Sequence, residues 1–177
     1  MAEKTSPFKQ MKPPRGLRAI PWRLPIWLYR LRLGWLLGNR FLLLTHIGRV
    51  SGRPRQAVLE VVRHDPESDT YYVASGFGEK SHWFRNIMKT PEVTIQVGRR
   101  RIEAVAERLP VEEAERELAD YARRNPRAFR TLTRLLGYQV EDLEEGARTM
   151  AQWIPIVAFR PRRGSGDRES QTADQRR

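Results

Sequence analysis

The sequence predicts an α+β, mainly β protein: a six-stranded antiparallel barrel with peripheral helices. Three observations carry this. Six short runs rich in apolar and β-branched residues, at 41–44, 57–62, 71–75, 93–97, 101–109 and 153–160, are separated by turn-forming Gly, Pro, Asn and Asp. Apart from a short stretch at 82–90, the helical patterns of the body fall between the fifth and sixth runs, without the regular βαβ alternation of a doubly wound sheet. Finally, 177 residues with 40% hydrophobic content suffice for one substantial core.

Taken in order, residues 1–24 form a basic arm with four prolines, expected to be disordered, and residues 25–161 form the single domain. Pro25 opens a helix over 26–38 that Gly38-Asn39 ends. Apolar residues nearly encircle this helix, broken only by Arg30 and Arg32, so it must pack on something. Two readings stand open: the helix covers the core, or it docks at a membrane interface with the rings of Trp22, Trp27, Tyr29 and Trp35 beside Arg23, Arg30 and Arg32.

The barrel occupies 40–160. Asp65-Pro66-Glu67-Ser68-Asp69 is a turn into the third strand. Val93, Ile95 and Val97 alternate with Thr94 and Gln96, the pattern of a half-buried strand, and Gly98-Arg99-Arg100 turns it into the fifth. Pro110 starts a helix over 111–124, Glu-rich at its start and Arg-rich at its end, as the helix dipole favours; its run from Glu112 to Glu117 reads as a solvated face. Asn125-Pro126 breaks it, and helical patterns resume over 127–136, ended by Gly137, and over 141–152. The last strand follows at 153–160, and 162–177 is an expected disordered tail.

The net charge of +12 suggests a polyanionic partner, but its distribution does not. Residues 1–40 carry nine Lys or Arg against one acid, residues 41–160 carry 19 against 17, and residues 161–177 five against three. The body is almost neutral, so the excess belongs to the arm, where it would act on an anionic membrane surface, and nucleic acid is not an expected partner. No cysteine is present, which excludes disulfides, thiolate nucleophiles and Cys-based metal sites. The histidines, His46, His64 and His82, show no metal-ligand spacing. The apolar stretch 24–37 is interrupted by Pro25, Arg30 and Arg32 and is shorter than the ~20 residues of a bilayer span. The expected location is cytoplasmic, peripheral at the inner face of the cell membrane.

Two motifs carry chemistry. The first, Thr45-His46-Ile47-Gly48-Arg49-Val50-Ser51-Gly52-Arg53-Pro54-Arg55, joins the first two strands. Two glycines permit a tight reversal, Ser51 adds a hydroxyl, and Arg49, Arg53 and Arg55 place three cations within seven residues, which suits a phosphate. The second is Val73-Ala74-Ser75-Gly76-Phe77-Gly78-Glu79-Lys80-Ser81-His82-Trp83-Phe84-Arg85-Asn86, in which a strand ends in a Ser-Gly turn and a short helix starts with Ser81 as N-cap, to be stopped by Pro91.

In this order, and followed by Pro91-Glu92-Val93-Thr94-Ile95-Gln96-Val97-Gly98 and Trp153-Ile154-Pro155-Ile156-Val157, these motifs resemble the deazaflavin (F420)-dependent nitroreductase family over roughly residues 41–161. The resemblance implies a split β-barrel of the FMN-binding, pyridoxamine-phosphate-oxidase-like kind and coenzyme F420 as cofactor, with FMN, which related split barrels bind, as the alternative. It places phosphate and tail contacts on Arg49, Val50, Ser51 and Arg55 with the strand residues Gln56, Ala57, Val58, Leu59 and Glu60. Contacts along the deazaflavin fall on Val73, Ala74, Ser75 and Gly76, and on His82, Trp83, Phe84, Arg85 and Asn86.

The implied activity is hydride transfer between reduced deazaflavin and an acceptor, with Ser75 as the substrate hydrogen-bonding residue and Tyr138 as a second catalytic candidate. The alternative is a split-barrel protein that binds FMN, deazaflavin or a lipid with little turnover. Position 50, often Lys or Arg in the family, is Val here. The family's tyrosine-rich segment before the last strand is replaced by 126–152, with only Tyr138 beside Phe129, Leu132, Leu135 and Leu136. That change points away from nitroimidazoles and toward an apolar acceptor such as a quinone or lipid-like molecule. A homodimer is compatible with the resemblance.

Overall fold

The computed structural model describes residues 40–135 and 142–162. The arm at 1–24, the helix at 26–38, most of the tail at 162–177 and Tyr138 lie outside the described residues.

Six strands close into one antiparallel barrel: β1 (Phe41–Ile47), β2 (Pro54–Asp65), β3 (Thr70–Ala74), β4 (Glu92–Val97), β5 (Arg100–Arg108) and β6 (Ile156–Pro161), in the spatial order β1-β2-β3-β6-β5-β4 with β4 paired back to β1. Closure leaves no free sheet edge. β2 makes it possible. Its first half pairs with β1, from Ile47 opposite Pro54 to Phe41 opposite Glu60, and its second half with β3 across an irregularity between Val61 and Val73 and Arg63 and Tyr72. Such a register shift bends the strand and lets it serve both neighbours.

Two apolar clusters result from the alternation of side chains. Leu42, Leu44, Val73, Ile95, Val157 and Phe159 fill the barrel, each with at most 0% of its surface exposed. The outer face of β2, β3 and β6 is covered by α2 (Val111–Arg124), α3 (Pro126–Leu135) and α4 (Leu143–Ala151), through Leu118, Tyr121, Phe129 and Met150 against Val62, Tyr72 and Ile156. Arg63 pins α2 to β2: its guanidinium donates two 2.8 Å bonds to the Glu117 carboxylate and lies 4.2 Å from the Tyr72 ring centroid. α1 (His82–Lys89) closes one end of the barrel by inserting Phe84 and Ile87.

Several expectations need correction. The last strand begins at Ile156 rather than 153, because Trp153 and Ile154 still turn off α4, their amides donating to Met150 O. The first turn is shorter than the motif, since Thr45, His46 and Ile47 belong to β1. Ser81 stands at the N-cap of α1 but makes no side-chain cap bond. The 112–117 run is only partly solvated: Glu112 and Glu113 are exposed, whereas Glu115 pairs with Arg148 and Glu117 with Arg63. Phe129 is fully buried in the helical layer and so covers no substrate. Among the described residues no helix is long and apolar enough to cross a membrane.

Candidate cofactor site

Glycine builds the β1–β2 turn. Gly48 N–H donates to Arg53 O at 2.9 Å, and Gly52, at φ +63°, returns a 2.8 Å bond to Gly48 O. A Cβ on Gly48 would come within 2.8 Å of Ser51 Oγ and 3.3 Å of Arg53 O, forcing Ser51 to turn away, and the left-handed φ of Gly52 is one that other residues adopt only under strain. Val50 is carried to the tip, 90% exposed.

A side-chain amide on α1 anchors this turn. Asn86, 6% exposed, accepts on Oδ1 from the Arg49 backbone N–H at 3.1 Å and from Arg49 Nη1 at 2.9 Å. Its Nδ2 lies 3.2 Å from Nδ1 of the buried His46, and three residues further along α1 the Lys89 ammonium donates to Arg49 O at 3.0 Å. Asn86 also keeps its helical role, accepting from Thr90 N–H where α1 ends. Burial holds the His46 imidazole below the ordinary histidine value, a backbone contact with Ile47 acts the other way, and Arg55, opposite His46 on β2, adds to the depression.

Arg40, Arg63, Arg100, Arg108, Arg148 and Arg160 each pair with a carboxylate. Among the described residues, no carboxylate pairs with Arg49, Arg53, Arg55, Arg85 or Lys89. Cations without an ion pair are not confined to this turn: among the described residues Lys80, Arg99, Arg116, Arg127, Arg130, Arg134 and Arg162 have none either. What distinguishes Arg49, Arg53 and Arg55 is their grouping within seven residues on a glycine turn, an arrangement with the chemistry to receive an anion.

The second motif packs beside the same helix. Ser75 follows β3 with its backbone N–H donating to Pro155 O at 2.9 Å, and its hydroxyl, fully buried, lies 2.8 Å from both Gly78 O and Ser81 Oγ. One proton cannot serve both, so Ser75 donates to the carbonyl and receives the Ser81 hydroxyl. Ser81 Oγ is thus turned toward Ser75, and it makes no side-chain cap bond to α1. The pairing revises the expected role of Ser75: the side chain ties the turn together and has no donor left for a substrate. Beyond it, a Cβ on Gly76 would meet nothing within 4 Å, Phe77 is 36% exposed, and the half-buried Trp83 packs edge-on to Phe84 with ring centroids 6.0 Å apart. Phe77 and Trp83 thus leave apolar surface on the second motif.

Of the sequence-derived site residues, Arg49 and Asn86 are in direct contact, and Arg55 joins them through its pairing with His46. Ser51 and Gln56 are exposed near the turn, and His82 and Arg85 are exposed on α1. Val73 and Phe84 belong to the barrel interior. Ala57, Val58 and Leu59 are half-buried strand residues, while Glu60 stands at the far end of the pairing, opposite Phe41, about 20 Å along β2 from Pro54. Glu60 is engaged there by Arg40 at 3.1 Å and is not part of the cation cluster. Sequence reasoning missed His46 and Lys89 as anchors of the turn. For His46 the hairpin register, which sets it opposite Arg55, was the available signal.

A shallow cleft of about 160 Å³ on the other side of β1, lined by His46, Thr45, Glu92, Thr94 and Glu103 among others, is too small for a tricyclic ring and includes neither Gly76 nor Trp83.

The family model of the F420H(2)-dependent quinone reductases matches residues 27–134, which spans both motifs and more than half of the chain. The chain belongs to this family. F420H(2)-dependent quinone reductases are oxidoreductases, and the protein is accordingly an F420-dependent reductase. Among solved structures, it is similar to an F420-H2-dependent reductase, FDR-A, at 20% identity and TM-score 0.48, covering 69% of this chain and 95% of that one. A pyridoxamine 5'-phosphate oxidase-related, FMN-binding protein from Nostoc punctiforme matches at 15% identity and TM-score 0.49, covering 80% of this chain and 81% of that one. A relative of general stress protein 26 from Clostridium acetobutylicum, of the pyridoxinephosphate oxidase family, matches at 9% identity and TM-score 0.49, over 77% and 84% of the two chains. The comparison with curated proteins gave no match.

Proposed function

We propose that the protein reduces an apolar, quinone-like acceptor with reduced F420, whose phosphodiester and acidic tail lie against the β1–β2 turn and whose ring lies along Gly76 and Trp83. The observation that carries this reading is the group of cations at 49–55 and on α1 that have no carboxylate partner among the described residues, with Asn86 of the second motif bonded directly to Arg49 of the first. The residues present fit a ligand with a polyanionic end and a planar end. When bound, the cofactor supplies a two-electron hydride from its C5 position.

This chain's own residues do the rest. Arg55 and Arg53 meet the anionic end as free guanidiniums, and Arg49 meets it from a position fixed by Asn86. Val50 in place of a cation removes one such contact, and Lys89, within 3.0 Å of Arg49 O, brings a charge to the same place. The Ser75–Ser81 pair fixes the turn so that the backbone at Gly76 holds its distance from the ring; Ser75 acts through position and not by contact with substrate. The family's description as quinone reductases and the exposed Phe77 of the second motif support an apolar acceptor. Two further parts of the reading are an attraction of residues 1–40 to anionic membrane surfaces and a homodimer.

Anaerobic stopped-flow mixing of the protein and reduced F420 with a soluble quinone tests this function. The proposal expects deazaflavin oxidation dependent on both protein and quinone. Oxidation at the uncatalysed rate with every quinone tried, while a nitroaromatic is reduced, would reject the acceptor class.

A further inference from the structure

The contacts of Asn86 fix the protonation state of a neighbour that the function described so far does not use. Both groups that Arg49 presents to Asn86, a backbone N–H and a guanidinium N–H, can only donate. The amide must therefore face them with Oδ1, which leaves the Nδ2 hydrogens facing His46 Nδ1 at 3.2 Å. An amide NH2 also only donates, so Nδ1 must offer its lone pair. His46 is thus neutral with its proton on Nε2. Protonation would set two donors against each other across this 3.2 Å contact. Flipping the amide would relieve that clash but would turn Nδ2 onto the two Arg49 donors. Neither partner can adapt without releasing Arg49.

We propose that His46 is a positioning residue for the anion-binding turn: in its neutral form, by accepting from Asn86 Nδ2, it fixes the amide polarity that holds the Arg49 backbone and guanidinium in place. The inference rests on the phosphate-site reading above. The charged group facing His46 is Arg55 from β2; Arg49 and Lys89 lie beyond it, Arg49 on Asn86 and Lys89 on the Arg49 carbonyl, while Glu92 of β4, Glu103 of β5 and Arg162 line a cleft that His46 shares. Its burial, 4% exposed, and the depressed imidazole pKa agree with a histidine kept neutral.

The sign of the pH effect separates positioning from simple charge. A protonated His46 adds a cation near an anion site, and by Coulomb attraction alone it would tighten cofactor binding. If it acts by position, protonation releases Arg49 and binding weakens. F420 affinity is to be measured by calorimetry from pH 8 toward pH 4.5 in wild type, in His46→Gln, which keeps an acceptor and cannot be protonated, and in His46→Leu, which removes the acceptor. Imidazole and amide NMR on the wild type provides a readout independent of the cofactor.

The expected results are an Nε2–H tautomer, an Arg49 amide resonance that moves with the His46 titration, and an acid loss of affinity about 5- to 10-fold larger in wild type than in His46→Gln, with His46→Leu weakened by a similar factor at every pH. An Nδ1–H tautomer, affinity that rises in acid relative to His46→Gln, or unchanged binding in His46→Leu would overturn the proposal. Should wild type bind no F420 while the Arg49 resonance still follows His46, the cofactor reading fails and the linkage of His46 to the turn stands.

Discussion

Arg55→Ala and Arg49→Ala form a pair whose contrast tests the electrostatic account of the turn. Arg55 is exposed and bonds to no carboxylate among the described residues, so truncation breaks no ion pair of the fold. Melting should therefore change by no more than the ±0.5 kcal/mol usual for surface substitutions. Cofactor affinity should fall by ~1.5–3 kcal/mol, the scale of a charge-assisted hydrogen bond, which is roughly 10- to 150-fold in Kd. Arg49→Ala should lose comparable affinity and also some stability. It removes the 2.9 Å bond to Asn86 Oδ1 but leaves the backbone N–H bond at 3.1 Å, so about 0.5–1.5 kcal/mol should be lost. Calorimetry with F420 and thermal melting measure both quantities. Raising salt should narrow the affinity gap between wild type and either variant. Unchanged affinity in both variants would remove the turn from the cofactor site.

Other perturbations test different parts of the structure. Ser75→Ala takes the donor from Gly78 O and the acceptor from Ser81 in a buried pair, and should cost about 1–3 kcal/mol, read as a melting temperature lower by roughly 2–10 °C; an unchanged melt would mean that this hydroxyl is not committed to the fold. Phe159→Ala, which empties a fully buried ring position in the barrel, should cost ~3–5 kcal/mol by chemical denaturation, whereas a cost under about 1 kcal/mol would contradict a filled interior. Burial acts to raise the Asp69 carboxyl, but hydrogen bonds from Arg100 and His64 outweigh it and hold its pKa below the usual value of 3.8. A depressed folded pKa contributes stability above the unfolded value that is lost as pH falls through the folded one. Asp69→Asn should thus melt lower than wild type at pH 7 and lose less on acidification below about pH 4; parallel curves would refute the pairing.

The barrel was legible because each strand carries its own signal. The alternation of Val93, Ile95 and Val97 needs no distant partner to be read, and the observed β4 spans it. The helix at 111–124 was bounded by Pro110 and Asn125, and it is observed at Val111–Arg124. The terminal boundary at 153 failed because Trp and Ile suit a strand as well as a turn, and the backbone bonds to Met150 that decide the matter are not written in composition. At the site, the basic turn and the Ser-Gly motif were visible as local runs. Their connection was not, since Asn86 meets Arg49 across 37 residues and His46 across 40. Ser75 illustrates the same limit: a hydroxyl at a strand end suggests a reactive group until the position of Ser81 shows that it is already occupied.

Titration of the protein with oxidised F420 and, separately, with FMN, followed by calorimetry and fluorescence, tests the central claim most directly. The account predicts saturable F420 binding that weakens with salt and in Arg55→Ala, with FMN, which lacks the acidic tail, bound less tightly. Tight binding of FMN alone, indifferent to the arginines of the turn, would contradict it.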